Sequence, residues 1–107
     1  MLDPDRIYHE ILTAGEHWAD TKAAYEALAD NTKSVLAEIR GRYLDAGQTQ
    51  GGSEVSALAS RDYREHLVSL SKARSAFLRA QVSYDSLKML AELRRSQEST
   101  RRAEMKL

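Results

Sequence analysis

The sequence predicts an all-α protein, a long antiparallel helical hairpin of coiled-coil type, and three observations carry that prediction. From Tyr63 to Leu93 the residues Tyr63, Leu70, Phe77, Tyr84 and Ala91 recur every seven, while His66, Ala73, Ala80 and Leu87 fill the interleaved position. An equivalent double row precedes them: Ile11, Trp18, Tyr25, Thr32 and Ile39, with Ile7, Ala14, Thr21, Leu28 and Val35. Between the two lies the polar, glycine-rich stretch Gly47-Gln48-Thr49-Gln50-Gly51-Gly52. So narrow a seam is unstable in water by itself, and each helix is expected to cover the other's.

The first helix is expected from about Pro4 to Ala46. Asp3 offers an N-cap acceptor, and proline at the first helical position gives up a donor that has no partner there. Gly15 and Gly41 each cost about 1 kcal/mol relative to alanine, but the heptad pattern runs through both. The connection spans 47–53, with Gly47 placed where a helix C-terminus favours a left-handed residue. It lacks the Gly-Lys-Ser/Thr of a phosphate-binding loop, so it predicts no nucleotide site. A second helix follows from about 54 to 105, and residues 53–60 read equally as its first turns or as a separate short helix. The chain, 1–107, is expected to form a single helical domain. With the turn centred near Gln50, residue i faces about 100 minus i, so the chain past Gln97 overhangs.

Composition narrows the function classes. The 107 residues hold 16 cations and 16 acids, one proline, one phenylalanine, one tryptophan and no cysteine. A disulfide framework, a thiolate metal site and a cysteine nucleophile are thereby excluded. No apolar run approaches the roughly 18 residues that cross a bilayer, and the first residues lack the layout of a secretory signal. The expectation is a cytoplasmic protein without membrane contact. The neutral total hides a polarity. Residues 1–30 carry seven acids against Arg6 and Lys22, whereas residues 61–107 carry eleven bases against six acids. In a hairpin these ends lie side by side and neutralise one another.

Two helices of about 40 residues are each about 60 Å long and bury one stripe apiece. Leu12, Leu36, Val68, Val82, Leu90 and Leu93 fall outside the seams. This surplus predicts a homo-oligomer, a helical bundle or ring.

The candidate site is a row on the second helix. Arg74, Gln81, Lys88, Arg95 and Arg102 share one heptad position, spaced by about 10.5 Å, and Arg94, Arg101 and Lys106 broaden the row at the tail. Across the hairpin this position faces Tyr8, Gly15, Lys22, Ala29 and Leu36, none of them acidic. Such a stripe can track a phosphate backbone, with single-stranded DNA as the partner. The competing reading is a solvated face, because Asp85, Glu92 and Glu98 precede Lys88, Arg95 and Arg102 by three or four residues. His17 with Asp20, and Asp62 with His66, have helical spacing for metal ligands, but nothing completes a site. The aromatic residues can stack on bases, yet their seam positions read as core. Glutamates on helical faces and the lack of a nucleophile signature give no reason to expect an enzyme, a cofactor or a small-molecule substrate.

The segments Tyr63-Arg64-Glu65-His66-Leu67, Lys72-Ala73-Arg74, Tyr84-Asp85-Ser86-Leu87-Lys88 and Leu90-Ala91-Glu92-Leu93-Arg94-Arg95-Ser96, with Thr100-Arg101-Arg102-Ala103-Glu104-Met105, resemble short helical bacteriophage proteins that accompany recombination genes, the UvsY-like recombination mediators. The likeness covers roughly the last 45 residues and is strongest in the arginine tail. It implies an oligomeric helical mediator in the host cytoplasm that binds single-stranded DNA and touches a recombinase or a single-strand-binding protein. This sequence has no counterpart of the basic Leu-Lys-Ala-Arg-Leu type segment of the prototype mediator. The alternative is a helical protein-interaction or assembly adaptor without nucleic acid.

Overall fold

Where the sequence promises two long helices, the structure, a computed structural model describing residues 4–106, forms four: α1 (Pro4–Asp30), α2 (Thr32–Asp45), α3 (Gln50–Leu58) and α4 (Arg61–Met105). The expected Asp3 cap lies outside the described residues. α1 and α2 are one rod with a joint at Asn31, and the backbone ladder passes through it. Asn31 N–H bonds the Ala27 carbonyl at 3.1 Å, and the Asn31 carbonyl accepts from Val35 at 3.0 Å. The pause falls where Thr32 Oγ1 reaches the Leu28 carbonyl at 3.1 Å, a side chain competing with the backbone for that acceptor.

Gly47 stops the rod. Its φ of 96° lets its own N–H reach the Leu44 carbonyl (3.0 Å) while Gln48 N–H reaches that of Tyr43 (3.1 Å), the pair of bonds that closes a helix C-terminus in a Schellman motif. Gly47→Ala is expected to destabilise by about 1 to 2 kcal/mol, the penalty of a Cβ in the left-handed region, measured by urea denaturation. Gly41 sits inside α2 with open space where a Cβ would go. Gly41→Ala is therefore expected to stabilise by about 0.5 to 1 kcal/mol in the same assay.

The connection is shorter than expected. Residues 46–49 suffice, because Thr49 Oγ1 caps α3 by accepting from Gly52 N–H at 3.1 Å, which draws Gly51 and Gly52 into the first turn. α3 is a separate helix that folds back on α2 through two small residues, Ser53 and Ala57, both fully buried. Ser53 Oγ donates to the Gln50 carbonyl at 2.7 Å and accepts from Arg40 Nε at 3.3 Å. A second cap then starts α4, with Ser60 Oγ accepting from Tyr63 N–H (3.1 Å) and donating to the Ala57 carbonyl (2.7 Å). Arg42 pairs with Asp62 at 3.0 Å, tying α2 to the start of α4.

α4 then runs antiparallel to the whole rod, in the expected register. Gly15 faces Tyr84, Tyr25 stacks on Phe77 with centroids 5.9 Å apart, and Thr32 Oγ1 meets His66 Nε2 at 2.9 Å. Trp18 lies between Phe77 (6.4 Å) and Tyr84 (5.8 Å). Its indole N–H is buried and has no acceptor among the described residues. A Cβ on Gly15 would stand 3.1 Å from the Tyr84 ring, which explains a glycine in mid-helix: it makes room for a large side chain at the facing seam position. Every predicted seam residue is buried or half-buried. The hairpin measures 84 × 19 × 16 Å, so its core is one side chain deep. Ile7, Ile39, Ala57 and Ala80 are its buried apolar residues among those described. No helix of the described residues is long and apolar enough to cross a membrane.

Candidate nucleic-acid interface

The 45 residues of α4 fix the geometry of the basic row, since seven residues advance a side chain by about 10.5 Å and return it to nearly the same face. Arg74, Lys88, Arg95, Arg101, Arg102 and Lys106 are exposed, whereas Arg94 is half-buried. Arg94 and Arg95 line a notch with Ile7, Tyr8, Ile11, Ala91 and Glu98, so the row passes Tyr8 as its heptad position requires. Gln81, half-buried, interrupts the row and leaves Arg74 about 21 Å from Lys88 along the axis. The structure thus brings the tail cations together and sets Arg74 apart.

Neighbouring acids neutralise the row unevenly. Lys88 Nζ pairs with Asp85 at 3.4 Å and lies 4.2 Å from the centre of the Tyr84 ring, so it is held against the hairpin. Arg102 approaches Glu98 at 3.9 Å, with both side chains well exposed. The expected pairing of Arg95 with Glu92 does not form. Arg74, Arg95, Arg101 and Lys106 have no ion pair among the described residues. Exposed pairs of the Lys88 and Arg102 kind contribute about 0.2 to 0.5 kcal/mol, too little to compete with a polyanion.

α1 begins at Pro4, which in the observed register lies opposite α4 residues just before the last two turns. The stretch 99–105 therefore continues about 10 Å beyond α1. There the seam positions hold Arg101 and an exposed Met105. Residues 94–106 hold five cations against Glu98 and Glu104, a net of +3. The arrangement can do one thing chemically, which is to present fixed positive charge and guanidinium donors to an extended anion.

Like Arg64, the exposed cations Lys72 and Arg79 on α4 also lack an ion pair among the described residues, and a single heptad row does not single them out. The signal that finds them is the absence of any acid from 66 to 84. The three histidines do not converge: His66 is engaged with Thr32, and no group of three or more His, Cys, Asp or Glu among the described residues is placed to hold a metal. The aromatic residues Trp18, Tyr25, Phe77 and Tyr84 are occupied with one another inside the hairpin. Compared with known proteins, the chain matches no family model, and no curated protein and no solved structure is significantly similar to it.

Proposed function

We propose that this chain is a non-enzymatic accessory of DNA metabolism that holds single-stranded nucleic acid by its phosphates on the overhanging end of α4. The observation that carries the reading is the projection of Arg101, Arg102 and Lys106 past the start of α1, with Arg95 nearly two turns behind them at the level of Asp5. The resemblance to UvsY-like phage mediators supplies the biological setting, with a recombinase or single-strand-binding protein as the protein partner. Four phosphate contacts on a single strand imply that the logarithm of affinity falls with the logarithm of salt concentration at a slope of about −2.8. Binding of a labelled oligonucleotide, followed by anisotropy at two salt concentrations, tests this. Salt-sensitive binding is the expected result, and its absence transfers the chain to the second reading.

That second reading is a helical adaptor that grips protein alone. It is favoured by the exposed apolar side chains on the outer side of α4, where Val68, Val82 and Met89 are 53%, 66% and 69% exposed.

A further inference from the structure

The outer face of α4 carries a second heptad seam. Val68, Ser71, Ser75, Leu78 and Val82 follow one another at alternating spacings of three and four, on the side of the helix turned away from α1. Leu78 and Val82 line a shallow groove with Ser71, Ser75 and, on its two edges, Arg74 and Arg79. With Lys72, these are three cations without an ion pair among the described residues.

The outer face of α1 is its complement. Ala19, Ala23 and Ala27 are exposed there, among Glu16, Asp20 and Asp30, three acids that likewise have no ion pair among the described residues. Small residues on one helix receive large ones from the other, and unpaired acids, Asp20 and Asp30 foremost, stand against unpaired cations. The levels also agree. In the hairpin's own register, Lys72, Arg74 and Arg79 lie level with about residues 28, 26 and 21, so Asp20 and Asp30 bracket them and Glu16 stands about 7 Å further along. A sideways displacement of one hairpin, with no axial shift, brings α1 of the next copy alongside the outer face of α4.

We infer that this face of α4 docks α1 of a second copy of the chain. The exposed area supports an occupant of that size. The chain exposes 8290 Å², against roughly 6,000 Å² for a compact monomer of its mass. The excess of about 2,300 Å² comes with the 84 × 19 × 16 Å shape and leaves room for two standard interfaces per copy, about 1,600 Å² in all. Because the two faces lie on opposite sides of the hairpin, the contact is heterologous. It leaves one face of each kind free at the ends and propagates until it closes.

Charge reversal tests the pairing without touching the hairpin seam, and because Arg74 belongs to the basic row, oligonucleotide binding is followed on the α1 variant, which leaves that row intact. Lys72→Glu/Arg74→Glu/Arg79→Glu makes both outer faces acidic, and Glu16→Lys/Asp20→Lys/Asp30→Lys makes both basic. The wild type is expected to sediment as a multi-copy particle at micromolar concentration. Each triple variant is expected to associate at least about tenfold more weakly, since like charges now face each other. An equimolar mixture of the two is expected to regain assembly, because acidic and basic faces alternate again. A wild type that sediments as a single 12.0 kDa chain, triple variants that assemble like the wild type, or a mixture that stays dissociated would each overturn the inference. Should a triple variant lose helicity by circular dichroism, Val82→Glu alone decides: loss of assembly supports the docking face, and unchanged mass refutes it.

Discussion

Replacing Phe77 by alanine is expected to lower the unfolding free energy by about 2 to 4 kcal/mol. Truncating a fully buried phenylalanine costs about 3 to 5 kcal/mol. Phe77 is half-buried in a core one side chain deep, which lowers the transfer contribution. Its ring nevertheless stacks on Tyr25 with an interplanar angle of 5° and packs against Trp18, and such aromatic pairs contribute about 0.5 to 1.5 kcal/mol beyond their area. Against a typical domain stability of about 5 to 15 kcal/mol, the loss is a large fraction of what holds α4 to α1. Urea denaturation followed by circular dichroism measures it. Ser86→Ala, exposed on α4 and outside the docking groove, is the control, expected within about 0.5 kcal/mol of the wild type. A Phe77→Ala transition that coincides with the wild type would remove Phe77 from the core and take the seam assignment with it.

The seam is legible because burial along a helix has a period, and a period survives in the sequence. A spacing of seven places Trp18, Tyr25, Phe77 and Tyr84, and the structure sets them in contact in the expected register. What is not legible depends on single side-chain bonds. The joint at Asn31 leaves the heptad undisturbed, so periodicity cannot register it. The start of α3 at Gln50 turns on one cap from Thr49 to Gly52 N–H, while the composition of that stretch reads as coil. Gly15 reads in the sequence as a tolerated weakness, and only the approach of Tyr84 to 3.1 Å explains its presence.

For the basic row, spacing fixes which cations share a face but not which are neutralised. Lys88 and Glu98 behave as i to i+3 and i to i+4 pairing predicts, whereas Arg95 turns from Glu92 and lines the notch with Tyr8. A long side chain with several acceptors in reach is decided by what its stem covers, and that needs the facing helix. Lys72 and Arg79 escape a heptad reading because they lie outside the position that defines the row. Their charge matters for what docks beside it.

Replacing Arg95, Arg101, Arg102 and Lys106 together by alanine is expected to reduce the salt slope of single-strand binding by about 2.8, or about 0.7 for each phosphate no longer neutralised. The weakening should be alike across oligonucleotide sequences, because phosphates carry no base identity. Alanine is the best helix former, and none of the four side chains enters the apolar seam, so helicity, melting and particle size are expected to persist. That persistence separates removal of the binding cations from unfolding of the hairpin. Retaining Lys88 is deliberate: it is held by Asp85 and the Tyr84 ring, and its loss would disturb the hairpin and the row together. If the quadruple variant binds oligonucleotides with the wild-type slope, the overhang of α4 is a solvated end and the protein-adaptor reading stands in its place.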